Sequence, residues 1–197
     1  MKKKIITGLI ILFIVISGGI YMYNKLTKPN FSSKTTKLYQ RGFRLLEEQI
    51  STYIKDKYSG IEKIEFSPIY VTGDDDSSML NAYVRPTIYD KYGHKATLGL
   101  PVKKFIPLSY GLNSDIILDF DGSGDEVIEL MDSEDRLVDV SKAKHLPNEA
   151  KLTKARSTDE NISLLVQDGQ LKDVVKDEKG SPEAEIIYNV KLSKEEG

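Results

Sequence analysis

The stretch 34-KTTKLYQRGFRLLEEQISTYIKDKYSGIEKIEF-66 decides the fold, because the period of its apolar residues changes at Gly60. Before Gly60, Tyr39, Phe43, Leu46, Ile50, Tyr53 and Ile54 recur at spacings of three and four. That is one apolar stripe on a helix over residues 34–58. Gly42 costs about 1 kcal/mol inside such a helix, and Gly60 is a natural C-terminal stop. Glu47 lies beside the stripe and reads as exposed. After Gly60 the period becomes two. Ile64 and Phe66 share one strand face, Lys63 and Glu65 share the other, and Ile69 and Val71 resume the pattern beyond Pro68.

Downstream, strand-like runs cover 80–89 and 96–102, joined by Asp90-Lys91-Tyr92-Gly93, a glycine-containing hairpin loop. Pro86 and Pro101 suggest edges or bulges. Further strands are predicted over 115–120, 126–131 and 136–140. The polar stretch 141–160 reads as a long loop or a short helix. Residues 162–166 and 171–175 flank Gln167-Asp168-Gly169-Gln170, whose Asp-Gly pair suits a tight hairpin; a helix running through Gly169 is the competitor. A turn over 177–182, a closing strand over 184–192 and a frayed tail over 193–197 complete the chain. The layout is α+β, an amphipathic helix packed on a mainly antiparallel sheet.

Upstream, Lys2, Lys3 and Lys4 precede an uncharged run from Ile5 to Tyr23. As a helix it spans roughly 28 Å, close to the hydrocarbon core of a bilayer. Tyr21 and Tyr23 sit at its far end, where amphipathic rings favour the interface. Residues 1–4 read as a cytoplasmic n-region, 5–23 as a transmembrane anchor, 24–33 as a linker and 34–192 as the folded domain. Ser17-Gly18-Gly19 offers a small-residue cleavage site, so secretion after signal cleavage is the alternative. Lysines flank the run on both sides. The orientation with the N-terminus inside rests on the rule that long domains translocate largely regardless of charge.

The chain has 197 residues, no Cys and 2 His. Disulfides, thiolate metal sites and cysteine nucleophiles are excluded, and a histidine-based metal site has little to draw on. Residues 29–197 carry 23 Lys+Arg against all 30 Asp+Glu, which leaves the domain at −7. Such a surface argues against nucleic acid as a partner. His94 and His145 have no metal-ligand spacing and read as exposed side chains without a structural role. There is no G-x-S-x-G and no phosphate-binding glycine loop, so no catalytic residue is assigned.

The best candidate for a bound cofactor is Asp119-Phe120-Asp121-Gly122-Ser123-Gly124-Asp125. It resembles the first half of an EF-hand loop, in which alternating oxygens face a calcium ion and a glycine makes the turn. The ligands would be Asp119, Asp121 and Ser123, with Asp125 beside them. The position of the bidentate Glu holds Leu130, so the stretch is read as an ordinary Asp/Gly turn and no cofactor is assigned, with a calcium site as the alternative. Asp74-Asp75-Asp76 forms a second acidic cluster between strands. Tyr83, Tyr89, Tyr92 and Tyr110 suit either a recognition surface or simply strands.

Three stretches, MKKKIITGLIILFIVISGG (1–19), RLLEEQISTYIKDKYSGI (44–61) and EKIEFSPIYV (62–71), resemble small exported or membrane-anchored proteins of low-GC Gram-positive bacteria. Residues 41–102 carry most of that resemblance. Some proteins of this size and topology are immunity proteins against secreted toxins. The resemblance implies such a role and transfers no specific residue. The expected function is a membrane-tethered, extracytoplasmic domain that binds a protein partner. The alternatives are a wall- or membrane-associated hydrolase using Asp/Glu pairs and a cation-dependent structural domain.

Overall fold

The computed structural model describes residues 27–73, 80–100 and 108–194. The anchor reading of 5–23, the cytoplasmic n-region and Asp74-Asp75-Asp76 lie outside the described residues. Among the described residues no helix is long and apolar enough to cross a membrane.

Helix α1 (Ser33–Lys57) begins where Ser32 Oγ accepts the Thr35 N–H at 3.0 Å, a side-chain N-cap. It ends at the extended Tyr58, with Lys55 and Lys57 in its last turn, where cations oppose the helix dipole. Gly60 therefore does not cap the helix. Tyr58–Ser59 first form the short strand β1, and Gly60 (φ 84°) then turns the chain into β2.

Strands β2 (Ile61–Phe66), β3 (Ile69–Thr72), β4 (Asn81–Val84), β5 (Pro86–Asp90), β6 (Lys95–Thr97) and β7 (Tyr110–Gly111) follow. They precede β8 (Ile116–Phe120), β9 (Glu126–Met131) and β10 (Leu137–Asp139). A 3-10 turn (Asn148–Ala150) and helix α2 (Arg156–Gln167) lead to β11 (Val175–Lys176), β12 (Glu185–Ile187) and β13 (Leu192–Lys194). Two four-stranded sheets, β12-β2-β5-β6 and β13-β3-β4-β7, are consecutive halves of one kinked ribbon. Pro68 supplies no N–H and interrupts the first pair of strands. Opposite it, Ser67 N donates to Arg85 O at 3.0 Å and Arg85 N donates to Ser67 Oγ at 3.0 Å. The strand expected over 80–89 is accordingly broken at Arg85. The closing strand is likewise split, and Ser193 and Lys194 belong to β13 rather than to a frayed tail. β12 and β13 run parallel to β2 and β3, while the other sheet pairings are antiparallel.

The hairpin expected around Asp168-Gly169 is instead the end of α2. Gln170 N donates to Leu165 O at 2.9 Å and Gly169 N donates to Val166 O at 3.1 Å, with Gly169 at φ 75°. This is a Schellman stop. An Asp-Gly pair serves a hairpin or a helix terminus equally well, and the buried Thr158, Ile162 and Leu165 supply the helical period.

α1 does more than cover one sheet. Its Gly42 lies so close to the sheet β10-β9-β8 that a Cβ there would sit 2.3 Å from Leu118 Cδ2. Gln49 on the same side donates to Met131 O at 3.0 Å and Ala150 O at 2.6 Å. The flank bearing Phe43, Ile50 and Ile54 joins the core beneath the ribbon. Glu47 lies on that flank and is 0% exposed, so the expectation of an exposed side chain is overturned. The period located the stripe, but a helix packed from two sides buries residues beyond it.

Candidate functional site

The calcium candidates occupy the β8–β9 hairpin tip. Asp121 Oδ1 accepts the N–H groups of Ser123 (2.8 Å) and Asp125 (2.9 Å), and Asp119 Oδ1 accepts that of Phe120 (2.7 Å). Gly124 N donates to Asp121 O at 2.8 Å, with Gly124 at φ 81°. The Lys34 ammonium donates to Gly124 O and lies 4.2 Å from the Phe120 ring centre. Side-chain oxygens and backbone N–H groups thus close the turn on themselves, with a cation of the chain's own beside it. Among the described residues no group of three or more His, Asp or Glu side chains is placed to hold a metal ion.

A cleft of about 550 Å³ opens between the β9–β10 hairpin and the start of α2. It gathers Asp115, Asp132 and Asp159, which sequence reasoning did not single out. Asp159 accepts hydroxyl groups from Tyr53 (2.8 Å) and Tyr58 (2.7 Å) and the Lys176 ammonium (2.6 Å). Burial, and then the Asp159 hydrogen bond, push the Tyr58 phenol far above its ordinary range. Asp132 accepts two guanidinium N–H groups of Arg136 (2.9 and 2.7 Å) and the backbone N–H groups of Glu134 and Arg136. Those bonds, the Arg136 side chain first, hold its carboxyl below the usual range. Asp115 is pushed up by burial, against the Ser114 hydroxyl and the Gly111 N–H that it accepts. Asp159 ties α2 to α1, β1 and β11, whereas Asp132 and Asp115 close their own turns, and neither Asp132 nor Asp159 has an oxygen without a donor.

Each histidine faces a carboxylate. His94 Nδ1 lies 2.9 Å from Asp90 Oδ2, and His145 Nδ1 lies 3.3 Å from Glu48 Oε1. Asp90 precedes His94 by 4 residues within one loop and Glu48 precedes His145 by 97, so the sequence pattern pointed to neither contact.

The strand register lays out a second surface. Pairing across β12, β2, β5 and β6 places Glu185, Lys63, Tyr89 and Lys95 in one row. Ile187, Glu65, Thr87 and Thr97 form the next row. Both rows point away from Ile64, Ile88 and Ala96, which face the core. The Tyr89 hydroxyl donates to Glu65 Oε2 at 2.6 Å, and its ring lies 3.8 Å from Lys63 Nζ and 5.9 Å from Lys95 Nζ. That bond is the main reason the Glu65 carboxyl sits below its ordinary range. Thr87 and Thr97 hydroxyls meet at 2.7 Å. A groove of about 480 Å³ runs along this face and reaches Leu100, which is 45% exposed. Tyr89 was among the tyrosines noted in the sequence; the alternation in β2 had already put Lys63 and Glu65 on the outward face.

Comparison of the chain with protein families, with characterised proteins and with solved structures finds no match.

Proposed function

We propose that the chain is a membrane-tethered, extracytoplasmic interaction domain that recognises a protein partner through the outer face of its ribbon. The observation that carries this reading is the pair of outward rows centred on Tyr89. A tyrosine ring with a lysine on either side and a carboxylate on its hydroxyl offers area, both signs of charge and fixed hydrogen-bond geometry within a strand spacing. An immunity-type role against a secreted toxin is the sharpest form of the proposal. The hydrolase alternative is less favoured, because Asp159 and Asp132 in the cleft are engaged with tyrosine and arginine donors.

The test places a photo-reactive amino acid at position 87, 89 or 97 of the full-length chain in its native cells, with position 151 as an exposed control. One partner captured from the three sheet positions and not from 151 supports the reading. Equal capture at all four positions, or none, removes it. Protease added to intact protoplasts tests the topology. Digestion of the domain only after lysis would reverse the orientation, and a domain free in the medium with its N-terminus near Gly19 would favour signal cleavage.

A further inference from the structure

We propose that the end of the domain where α1 begins is a docking surface for anionic phospholipid headgroups. The inference rests on the reading of residues 5–23 as an uncleaved anchor. A cleft of about 350 Å³ lies there, with Lys28 and Lys191 on its walls and Pro29, Val190 and Leu192 between them. Two remote parts of the chain build it, the lead-in to α1 and the segment that joins β12 to β13. Neither part contains a carboxylate: residues 27–43 and 188–194 have no Asp or Glu, in a domain with 30. Lys28, Lys37 on the first turns of α1, and Lys191 are exposed, and none makes an ion pair among the described residues. The charged side chains of residues 27–43 and 188–194 are therefore all basic, on a domain whose net charge is −7, with Glu195 and Glu196 following Lys194 in the sequence.

Chain length selects the occupant. Lys28 follows Tyr23 by five residues, which reach at most about 18 Å when fully extended. The headgroup layer itself takes up roughly 5–7 Å beyond the hydrocarbon core. Lys28 thus lies within about a Debye length or two of the headgroups, where each lysine is drawn to an anionic surface. The phosphodiester would sit between the Lys28 and Lys191 ammonium groups, with the apolar lining toward the glycerol backbone. The acidic remainder of the domain would be repelled from the same surface, so the charge asymmetry sets one orientation of the domain on the membrane.

The test uses the full-length chain in nanodiscs of phosphatidylcholine alone or with about 40% phosphatidylglycerol, which makes the surface strongly anionic. Acetylation rates of individual lysines are read by mass spectrometry, with exposed Lys151 as the control. The expected result is about fivefold slower acetylation of Lys28, Lys37 and Lys191 in the anionic discs, the factor for ~1 kcal/mol per lysine. Lys151 should be unchanged, and 0.5 M salt, on the order of the ionic strength that shortens the Debye length to a few ångström, should erase the difference. Equal rates in both discs overturn the proposal while leaving the anchor reading intact. Equal protection in both discs overturns it too, since the chain itself then covers the lysines. Protection in phosphatidylcholine discs on adding inorganic phosphate points to a free-anion site and also overturns it. Failure of the chain to co-elute with either disc removes the anchor reading together with the proposal.

Discussion

The Glu47 carboxyl and the Asn189 backbone N–H meet at 3.1 Å inside the core, across a sequence separation of 142 residues. Burial pushes Glu47 up to about 8, and the Asn189 N–H and the Arg44 charge reverse only part of that. Between its ordinary value of 4.5 and about 8 the folded state holds a proton that the unfolded chain has released. Stability therefore falls as pH rises through this window and the loss is complete above it. At neutral pH the penalty is roughly 3 kcal/mol. Glu47→Gln keeps an oxygen for the Asn189 N–H and removes the titration. Urea unfolding at pH 5 and pH 8.5 should show the variant close to the parent at the lower pH and markedly more stable at the higher. A parallel pH dependence in both proteins would exclude this role for Glu47.

Asp90 gives the opposite slope. Its carboxyl is fully buried. Burial raises it, but the N–H groups of Lys172 (2.7 Å), Tyr92 (2.8 Å) and His94 (3.0 Å), together with the His94 ring, outweigh burial and hold it below 3.8. The stability that it contributes is present above about pH 3.8 and is lost as pH falls through the folded value. Asp90→Ala leaves three N–H groups without their acceptor and should cost at least about 2 kcal/mol at pH 7. Thermal melts should show the variant less acid-sensitive than the parent.

Two glycines with the same backbone angle should respond differently. Gly60 and Gly93 both have φ 84°, yet a Cβ at Gly60 would lie 2.1 Å from Asp173 O, whereas one at Gly93 meets nothing within 4 Å. Gly93→Ala should lose about 1–2 kcal/mol from the left-handed backbone alone. Gly60→Ala should lose clearly more, because a rigid carbonyl must also move. Similar midpoints in denaturant would mean that the 173 loop gives way freely.

Calcium at 10 mM should leave the melting temperature unchanged relative to sodium chloride of matched ionic strength, about 30 mM. Asp121 Oδ1 already accepts two N–H groups, and Asp121→Ala should cost about 1–2 kcal/mol with or without the ion. A calcium-dependent rise in the parent that Asp121→Ala abolishes would restore the cation reading.

Local chemistry made much of the architecture legible. The stripe from Tyr39 to Ile54, the alternation in β2, the Asp90–Gly93 loop and β9 at 126–131 all follow from short-range patterns. What the sequence hid depends on remote partners. Glu47 falls at a periodic position between Phe43 and Ile50, but its charged side chain read as exposed, and the N–H that meets it comes from Asn189, 142 residues away. Pro68 marked an interruption, but the matching break at Arg85 follows from pairing with Ser67. The row of Lys63, Tyr89 and Lys95 exists only once the register between three strands is fixed.

The parallel placement of β12 and β13 beside β2 and β3 also bears on the order of assembly. The ribbon's first strands leave the ribosome early, but one of their neighbours is the last strand segment described. Closure of such a long loop is slow and comes late. Until residues 185–194 arrive, β2 and β3 have an unpaired edge and Glu47 lacks its acceptor-matched N–H. A nascent chain of this topology stays incomplete through most of its synthesis, a state compatible with threading through a translocation pore and vulnerable to edge-to-edge aggregation outside one.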